Sequence, residues 1–230
     1  MFSTFDFDVI RRSLGYLFFD GMTFTLTLTA LSAVGGLVFG TFIALMRLSG
    51  FKLLGRIAGL YVDLMRSLPL VLVIFWFYFL VPYIGQWLTG ASRPIRVGAF
   101  ASSLITFILF EAAYFSEIMR AGIQSISKGQ PAAANALGLT YSQTMRYVVL
   151  PQAFRNMLPV LLTQTIVLFQ DTSLVYVLSI PDFLGAASKV AQRDGRLVEM
   201  YLFAAAVYFA ISSLASYGVR RLQARIAIVR

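Results

Sequence analysis

Long apolar runs, separated by short polar or basic stretches, set the pattern of the chain. Five of them, at about residues 21–46, 58–80, 97–119, 158–179 and 199–219, carry few charges. Each is near the ~20 residues a helix needs to cross a hydrocarbon layer ~30 Å thick. In lipid such a run takes the helical form, because a helix satisfies its backbone N–H and C=O groups within one segment. The predicted fold class is an all-α integral membrane protein with five transmembrane helices. Ahead of the first run, Phe5, Val9, Ile10, Leu14 and Leu17 recur at helical spacing beside Asp8, Arg11 and Arg12. That spacing predicts an amphipathic helix lying on the membrane surface, with a plain lead-in as the alternative. Asp6 and Asp8 precede the arginines and no small-residue cleavage pattern follows, so the segment is expected to stay attached rather than to be cleaved as a signal peptide.

One stretch breaks the pattern. Residues 120–157 are too polar to cross yet strongly helix-forming: Gly129-Gln130-Pro131-Ala132-Ala133-Ala134-Asn135-Ala136-Leu137-Gly138, then Leu139-Thr140-Tyr141-Ser142-Gln143. Pro131 suits a first helical turn, Gly138 the left-handed residue after a last turn, and Thr140 or Ser142 the cap of a second helix. Two short helices meeting at a glycine predict a compact knob over about 128–151, between the third and fourth spans.

Composition sharpens this reading. With 59% hydrophobic and 13% charged residues, 21 Phe and 11 Tyr, the chain holds more apolar surface than one water-soluble core of this size could hide. Its mean hydropathy is +0.79. A formal charge of +9 would point to nucleic acid in a soluble protein. Here the basic residues lie between the spans, where they set orientation and meet anionic lipid headgroups, so no nucleic-acid partner is expected. Cysteine and histidine are absent, which excludes disulfides, thiolate nucleophiles, imidazole bases and His/Cys metal sites. No catalytic residue and no metal ligand is assigned.

Placing the connections alternately on the two sides gives one face Arg47, Lys52, Arg56, Arg120, Lys128, Arg146, Arg155, Arg220, Arg221, Arg225 and Arg230. The other receives Arg11, Arg12, Arg93, Arg96, Lys189, Arg193 and Arg196. The richer face is expected to be cytoplasmic, with the N-terminus outside, the C-terminus inside, and Tyr83 and Trp87 as outer aromatic anchors. An odd number of spans does not make two inverted halves, so partner chains are expected. Ser32, Gly36 and Gly40 recur every fourth residue on the first span, beside the pairs Thr23/Thr27 and Thr25/Thr29. That stripe lets a backbone approach closely, whether within the chain or from a second one.

Ala133-Ala134, then Gly138, then Val148 and Leu150-Pro151 are spaced as in the cytoplasmic loop of the permease subunits of binding-protein-dependent ATP-binding-cassette importers, and the chain resembles that family. The family's Glu before the Ala pair is Ala132 here. Arg66-Ser67-Leu68-Pro69-Leu70, Tyr114 with Glu117, Arg120-Ala121-Gly122-Ile123 and Asp171-Thr172-Ser173-Leu174-Val175 are similar to the polar amino-acid branch. Phe169 to Leu178 and Arg193-Asp194-Gly195 are most similar to glutamate/aspartate permease subunits.

The resemblance implies a bacterial inner-membrane subunit importing polar amino acids, glutamate and aspartate first among them, with glutamine, histidine or arginine as alternatives. It implies two cytoplasmic ATPase subunits, a second homologous or identical permease and a periplasmic binding protein as partners. It also implies a coupling role for Gln130, Ala132, Ala133, Ala134, Gly138, Leu139, Leu150 and Pro151. No phosphate-binding Gly-Lys-Ser/Thr loop occurs in the chain, so the chain is expected to be non-catalytic, without a cofactor, with ATP on the partner ATPase. A stand-alone carrier or channel is the reading from a different class.

Charges inside spans are costly and tend to be functional. Asp63 and Arg66, three apart, are expected to neutralise one another, and Arg120 follows Glu117 at the same spacing. Glu111 and Glu117 lie about 120° apart around a helix and cannot share one small ligand. Glu111, one turn before Tyr114, is the better cavity candidate. Gln164 and Asp171 fall within about 20° of one face, with Thr172 and Ser173 adjacent. Carboxylates for an ammonium group, and amide or hydroxyl donors for a carboxylate, suit an amino acid. The same groups would equally serve to hold helices together. Deep basic groups are scarce, so either a partner permease supplies the cation for an acidic substrate or selection rests with the external binding protein, and the second is the expectation.

Overall fold

The protein is represented by a computed structural model that describes residues 5–95 and 97–226. Arg96 and Arg230, counted above among the charges of the two faces, lie outside the described residues. Eight helical segments follow in order: α1 Phe7–Leu48, α2 Lys52–Ser67, α3 Leu70–Thr89, α4 Ala99–Gln124, α5 Gly129–Ala136, α6 Tyr141–Leu178, α7 Phe183–Asp194 and α8 Leu197–Ile226. Five of these, α1, α3, α4, α6 and α8, are long and apolar enough to cross a membrane. No strand occurs among the described residues.

The amphipathic lead-in runs into the first span without a break, through a wide π-helical turn at Tyr16–Met22. The run predicted at 58–80 is split. Helix α2 stops at Ser67, and α3 starts after Pro69, which sits in extended backbone at φ −60°, ψ 129°. Proline lacks the N–H an unbroken helix would use there and drives the preceding residue out of the helical region, so the second crossing helix begins at Leu70.

The described residues form two compact units, each drawing on several of the long helices. The first comprises the chain through Val34, Leu68–Ile108 and Ile166–Ala215. Its core packs Val9, Leu17, Met22, Phe169, Phe183, Ala187, Met200 and Ala204. At its centre lies α7, a short helix that the hydropathy pattern did not announce. Gly21 allows α7 to sit close, since a Cβ there would come within 2.9 Å of Ala186 Cβ. The Phe183 N–H donates to Thr25 Oγ1 at 3.0 Å, and the helix ends at Gly195 in the left-handed region. Arg12 Nη2 donates to Asp194 Oδ2 at 3.0 Å, tying the lead-in to the end of α7. Arg193, with help from Arg12, holds the Asp194 carboxyl below its ordinary range.

Asp182 caps α7: its carboxylate accepts from the Leu184 and Gly185 N–H groups, each at 3.0 Å. It is fully buried. Burial pushes its pKa up to about 7 against the downward pull of those two N–H donors. The second unit comprises Gly35–Ser67, Leu109–Thr165 and the chain from Ser216 onward. Its core joins Ala44, Phe115, Met119 and Leu161, with a separate cluster of Ile126, Val149 and Ala153 under the segment that follows α4.

The capping carboxylate gives a signed pH prediction. Its folded pKa of about 7 lies above the ~3.9 of an unfolded Asp. The stabilisation due to the bound proton is therefore fully present below about pH 4 and is lost as the pH rises through 7. Asp182→Asn keeps a capping oxygen and removes the titration, so its melting temperature in detergent at pH 8 is expected to match or exceed that of the parent. Asp182→Ala removes the cap and is expected to lose about 1 kcal/mol or more. A parent melting temperature that does not move between pH 5 and 8, relative to Asp182→Asn, would contradict the assignment.

Candidate functional site

The hairpin between α4 and α6 is built as its spacing predicts. At the end of α5 the Leu137 N–H bonds to Ala133 O at 3.1 Å, and the Leu139 N–H returns to Ala134 O at 3.1 Å. Gly138 lies between them at φ +79°. Nothing stands near the position of a Cβ there, so glycine is required by the backbone angle, not by space. Thr140, not Ser142, caps the next helix. Its hydroxyl accepts the Gln143 N–H at 3.4 Å while Gln143 Oε1 accepts the Thr140 N–H at 2.9 Å.

Thr144 donates to Asn135 Oδ1 at 3.4 Å, joining the two short helices. Ala134 is buried against this hairpin, and Ile126, Val149 and Ala153 anchor it below, with Ile123 and Met145. Gln130, Ala132, Ala133 and Pro151 are exposed and Leu139 is half-buried. At the tip Leu137 is 81% and Tyr141 80% exposed, with Leu150 at 42% on the return helix. These large apolar side chains stand outward at the tip of the hairpin.

Within the same unit, α1 and α4 pack backbone to backbone. A Cβ on Gly36 would lie 2.8 Å from Glu111 Cβ, and one on Gly40 3.0 Å from Ala112 O. These two glycines of the small-residue stripe are therefore spent on packing inside the chain. Glu111 is wholly buried, and the Gln164 side-chain amide donates to its two oxygens at 3.3 and 3.2 Å. Two residues singled out separately are brought together across α4 and α6. Tyr114 is half-buried, its ring 5.2 Å from that of Phe110. A buried carboxylate oriented by an amide can receive an ammonium group.

One and a half turns on, Glu117 gathers three arginines. Arg47 Nη1 donates to Oε1 at 2.5 Å, Arg120 Nε to Oε1 at 2.6 Å and Nη2 to Oε2 at 3.1 Å. Arg66 stands 3.5 Å from Oε2 with its guanidinium 5.4 Å from the Tyr114 ring centre. The expected Asp63–Arg66 pair is thus replaced: Arg66 reaches to Glu117, and Asp63 is exposed. Glu117 is less exposed than Asp63, so its charge is less screened, and the Tyr114 ring gives the Arg66 guanidinium a second contact; spacing along one helix displays neither.

Asp171, Thr172 and Ser173 belong to the other unit. Asp171 and Ser173 are half-buried; Thr172 is fully buried, and its hydroxyl donates to Phe169 O at 2.7 Å. The helix tightens to a 3-10 form at Thr172–Leu178, so the regular face on which Gln164 and Asp171 were aligned ends at Asp171.

Residues 36–228 match the family described as the binding-protein-dependent transport system inner membrane component. The glutamate/aspartate import permease protein GltK of Escherichia coli O157:H7 is 53% identical over 225 residues, 97% of this chain and 99% of the relative. The glutamine transport system permease protein GlnP of Escherichia coli (strain K12) is 31% identical, over 98% of this chain and 99% of the relative. Among solved structures, the crystal structure of an amino acid ABC transporter with histidines superposes with a TM-score of 0.87 at 32% identity, covering 96% of this chain and 99% of that one. An inward-facing MetNI methionine ABC transporter chain shares the fold at a TM-score of 0.74 and 18% identity, over 93% of this chain and 97% of that one.

The close contact at Gly36 can be tested against an open one. Gly36→Ala places a methyl group against Glu111 Cβ, whereas nothing lies within 4 Å of a Cβ at Gly59. Gly36→Ala is expected to lower the melting temperature of the purified permease by the equivalent of about 1–3 kcal/mol. Gly59→Ala is expected to hold or raise it. Equal behaviour of the two variants would remove the α1–α4 contact from the account.

Proposed function

The chain belongs to the inner membrane components of binding-protein-dependent transport systems, and from that premise we propose that it is the permease through which glutamate and aspartate enter the cell. As a member of that family it is a non-catalytic, multi-pass subunit of a bacterial ATP-binding-cassette importer, which works with an ATPase and a binding protein. The likeness to glutamate/aspartate permeases over almost the whole chain carries the choice of substrate.

In this reading the chain acts as one permease domain, paired with a second homologous or identical permease and served by two ATPase subunits. The N-terminus lies outside and the C-terminus in the cytoplasm, which puts the hairpin of 128–151 on the ATPase side. Leu137 and Tyr141 seat in the ATPase with Gln130, Ala132, Ala133 and Leu139 around them. The capped Thr140–Gln143 turn and the Thr144–Asn135 bond keep the hairpin rigid. Leu150 and Pro151 pass its movement to the rest of α6. Nucleotide then biases two arrangements of the spans, one open to each side.

Within one unit we place the substrate ammonium at Glu111, oriented by Gln164 and flanked by Tyr114; Asp171, Thr172 and Ser173 of the other unit are proposed separately as polar residues of the transport path. Selection between amino acids rests with the binding protein. The Thr172 hydroxyl is already engaged by its own helix, so Asp171 and Ser173 carry more of that role.

Three measurements follow. In liposomes holding the chain with its ATPase, partner permease and binding protein, uptake of labelled glutamate and aspartate is expected to require ATP. ATP-independent uptake by this chain alone would establish the stand-alone carrier instead. Gly138→Val forces a side chain into the left-handed region at a cost of about 1–3 kcal/mol. It is expected to leave insertion and ATP hydrolysis intact while cutting uptake at least tenfold; normal uptake would count against the hairpin as coupling element. Asp171→Asn is expected to lower uptake severalfold with assembly unchanged, and full uptake would leave Asp171 a packing role.

A further inference from the structure

A second polar site lies within the unit that contains α2 and the second halves of α1 and α4. Three guanidinium groups converge on the Glu117 carboxylate, which leaves two positive charges in excess. Arg47 and Arg120 are engaged directly, and Arg120 also donates to Gln124 Oε1 at 2.5 Å. Arg66 is the loosely held member: at 3.5 Å from Glu117 it is beyond hydrogen-bond distance, and its side chain is 45% exposed. Its guanidinium carbon lies over the Tyr114 ring, 5.4 Å from the ring centre.

Arg66, Glu117 and Arg120 form one wall of a cavity of about 440 Å³, with Asn156 and Val160 of α6 among the residues lining it. Gly122 lets α4 and α6 close together beside it, because a Cβ there would stand 2.8 Å from Met157 Cβ. The volume falls in the range of small-molecule sites.

An arginine with uncommitted donors beside a second arginine binds a carboxylate by paired N–H bonds. On the facing helix the Asn156 amide nitrogen donates to Ser125 Oγ at 2.8 Å, which leaves the amide oxygen to accept from an ammonium group. A neutral amino acid would satisfy Asn156 but would leave the excess positive charge unmatched. A molecule with two carboxylates and one ammonium group meets both.

We propose that this cavity is a binding site for an acidic amino acid at the ATPase-proximal end of the permease, through which accumulated product slows import. The proposal rests on the substrate and orientation given under the proposed function, and it deepens them by adding a site distinct from Glu111. Cytoplasmic product occupying it would tie α2 to α4 and α6 through Arg66, favouring the arrangement in which that cavity exists.

The test uses the complete complex in vesicles with the ATPase facing the bath and binding protein plus glutamate in the lumen. ATP hydrolysis and glutamate efflux to the bath are both measured. Millimolar glutamate or aspartate in the bath is expected to slow both severalfold, while glutamine or sodium chloride at the same concentration is not. Arg66→Gln is expected to shift the inhibitory concentration at least tenfold upward. Val160→Phe fills the cavity without touching the ion cluster and is expected to do the same, so an unstable Arg66→Gln leaves the test intact.

Glutamate transport that proceeds without any response to bath glutamate overturns the proposal and leaves the importer reading standing. Inhibition shared equally by glutamine or chloride, or seen only in vesicles containing anionic lipid, also overturns it, the last outcome assigning the arginines to lipid phosphate. Failure of the complex to move glutamate at all, with another amino acid moved instead, would overturn the substrate reading itself and this proposal with it.

Discussion

A backbone amide left unpaired in hydrocarbon costs several kcal/mol, and this constraint decides almost everything else in the molecule. It makes every lipid-crossing stretch helical. It confines the breaks to places where something replaces the missing bond: the wide turn at Tyr16–Met22, the restart after Pro69, and the tightened end of α6 at Thr172–Leu178. It also confines irregular polar backbone to hairpins and caps that satisfy themselves, of which the Gly138 turn and the Asp182 cap are the two best developed.

The same logic governs the side chains. Glu111 is tolerated deep in α4 because the Gln164 amide meets both its oxygens, and Glu117 because arginines from three segments surround it. Each of these polar groups joins α4 to other helices, so the groups that make the permease costly to bury also tie its helices together. The hairpin of 128–151 connects α4 and α6, the two helices that carry Glu111 and Gln164. Force applied at Leu137 or Tyr141 therefore enters the helices that hold that pair.

Much of this was legible in the sequence. Hydropathy gave five crossings, although the second starts at Leu70 and not near residue 58, and helix-stop chemistry located Gly138 in its left-handed turn and Thr140 among the caps. What escaped is non-local. Reading along one helix paired Arg66 with Asp63, but Arg66 sits with Glu117 on a different helix, where two other arginines already hold the carboxylate. The helix that carries Gln164 stays regular through Asp171, and only Thr172 and Ser173, placed beside them, fall in the tightened stretch. The stripe of Ser32, Gly36 and Gly40 left its partner open; Glu111 Cβ and Ala112 O lie against the two glycines. Helix α7 was missed because it is too short to cross. Its ends, an Asp182 cap and a Gly195 stop, were signals present in the sequence that hydropathy does not weigh.

The central claim is that the hairpin is the contact through which the ATPase drives the permease. The chain contains no cysteine, so a single Leu137→Cys residue can be labelled without background. In inside-out membrane vesicles a membrane-impermeant maleimide is predicted to modify that residue rapidly once the ATPase is stripped away, and slowly when the ATPase is added back. Labelling from the opposite face of the membrane, or labelling indifferent to the ATPase, would contradict the account.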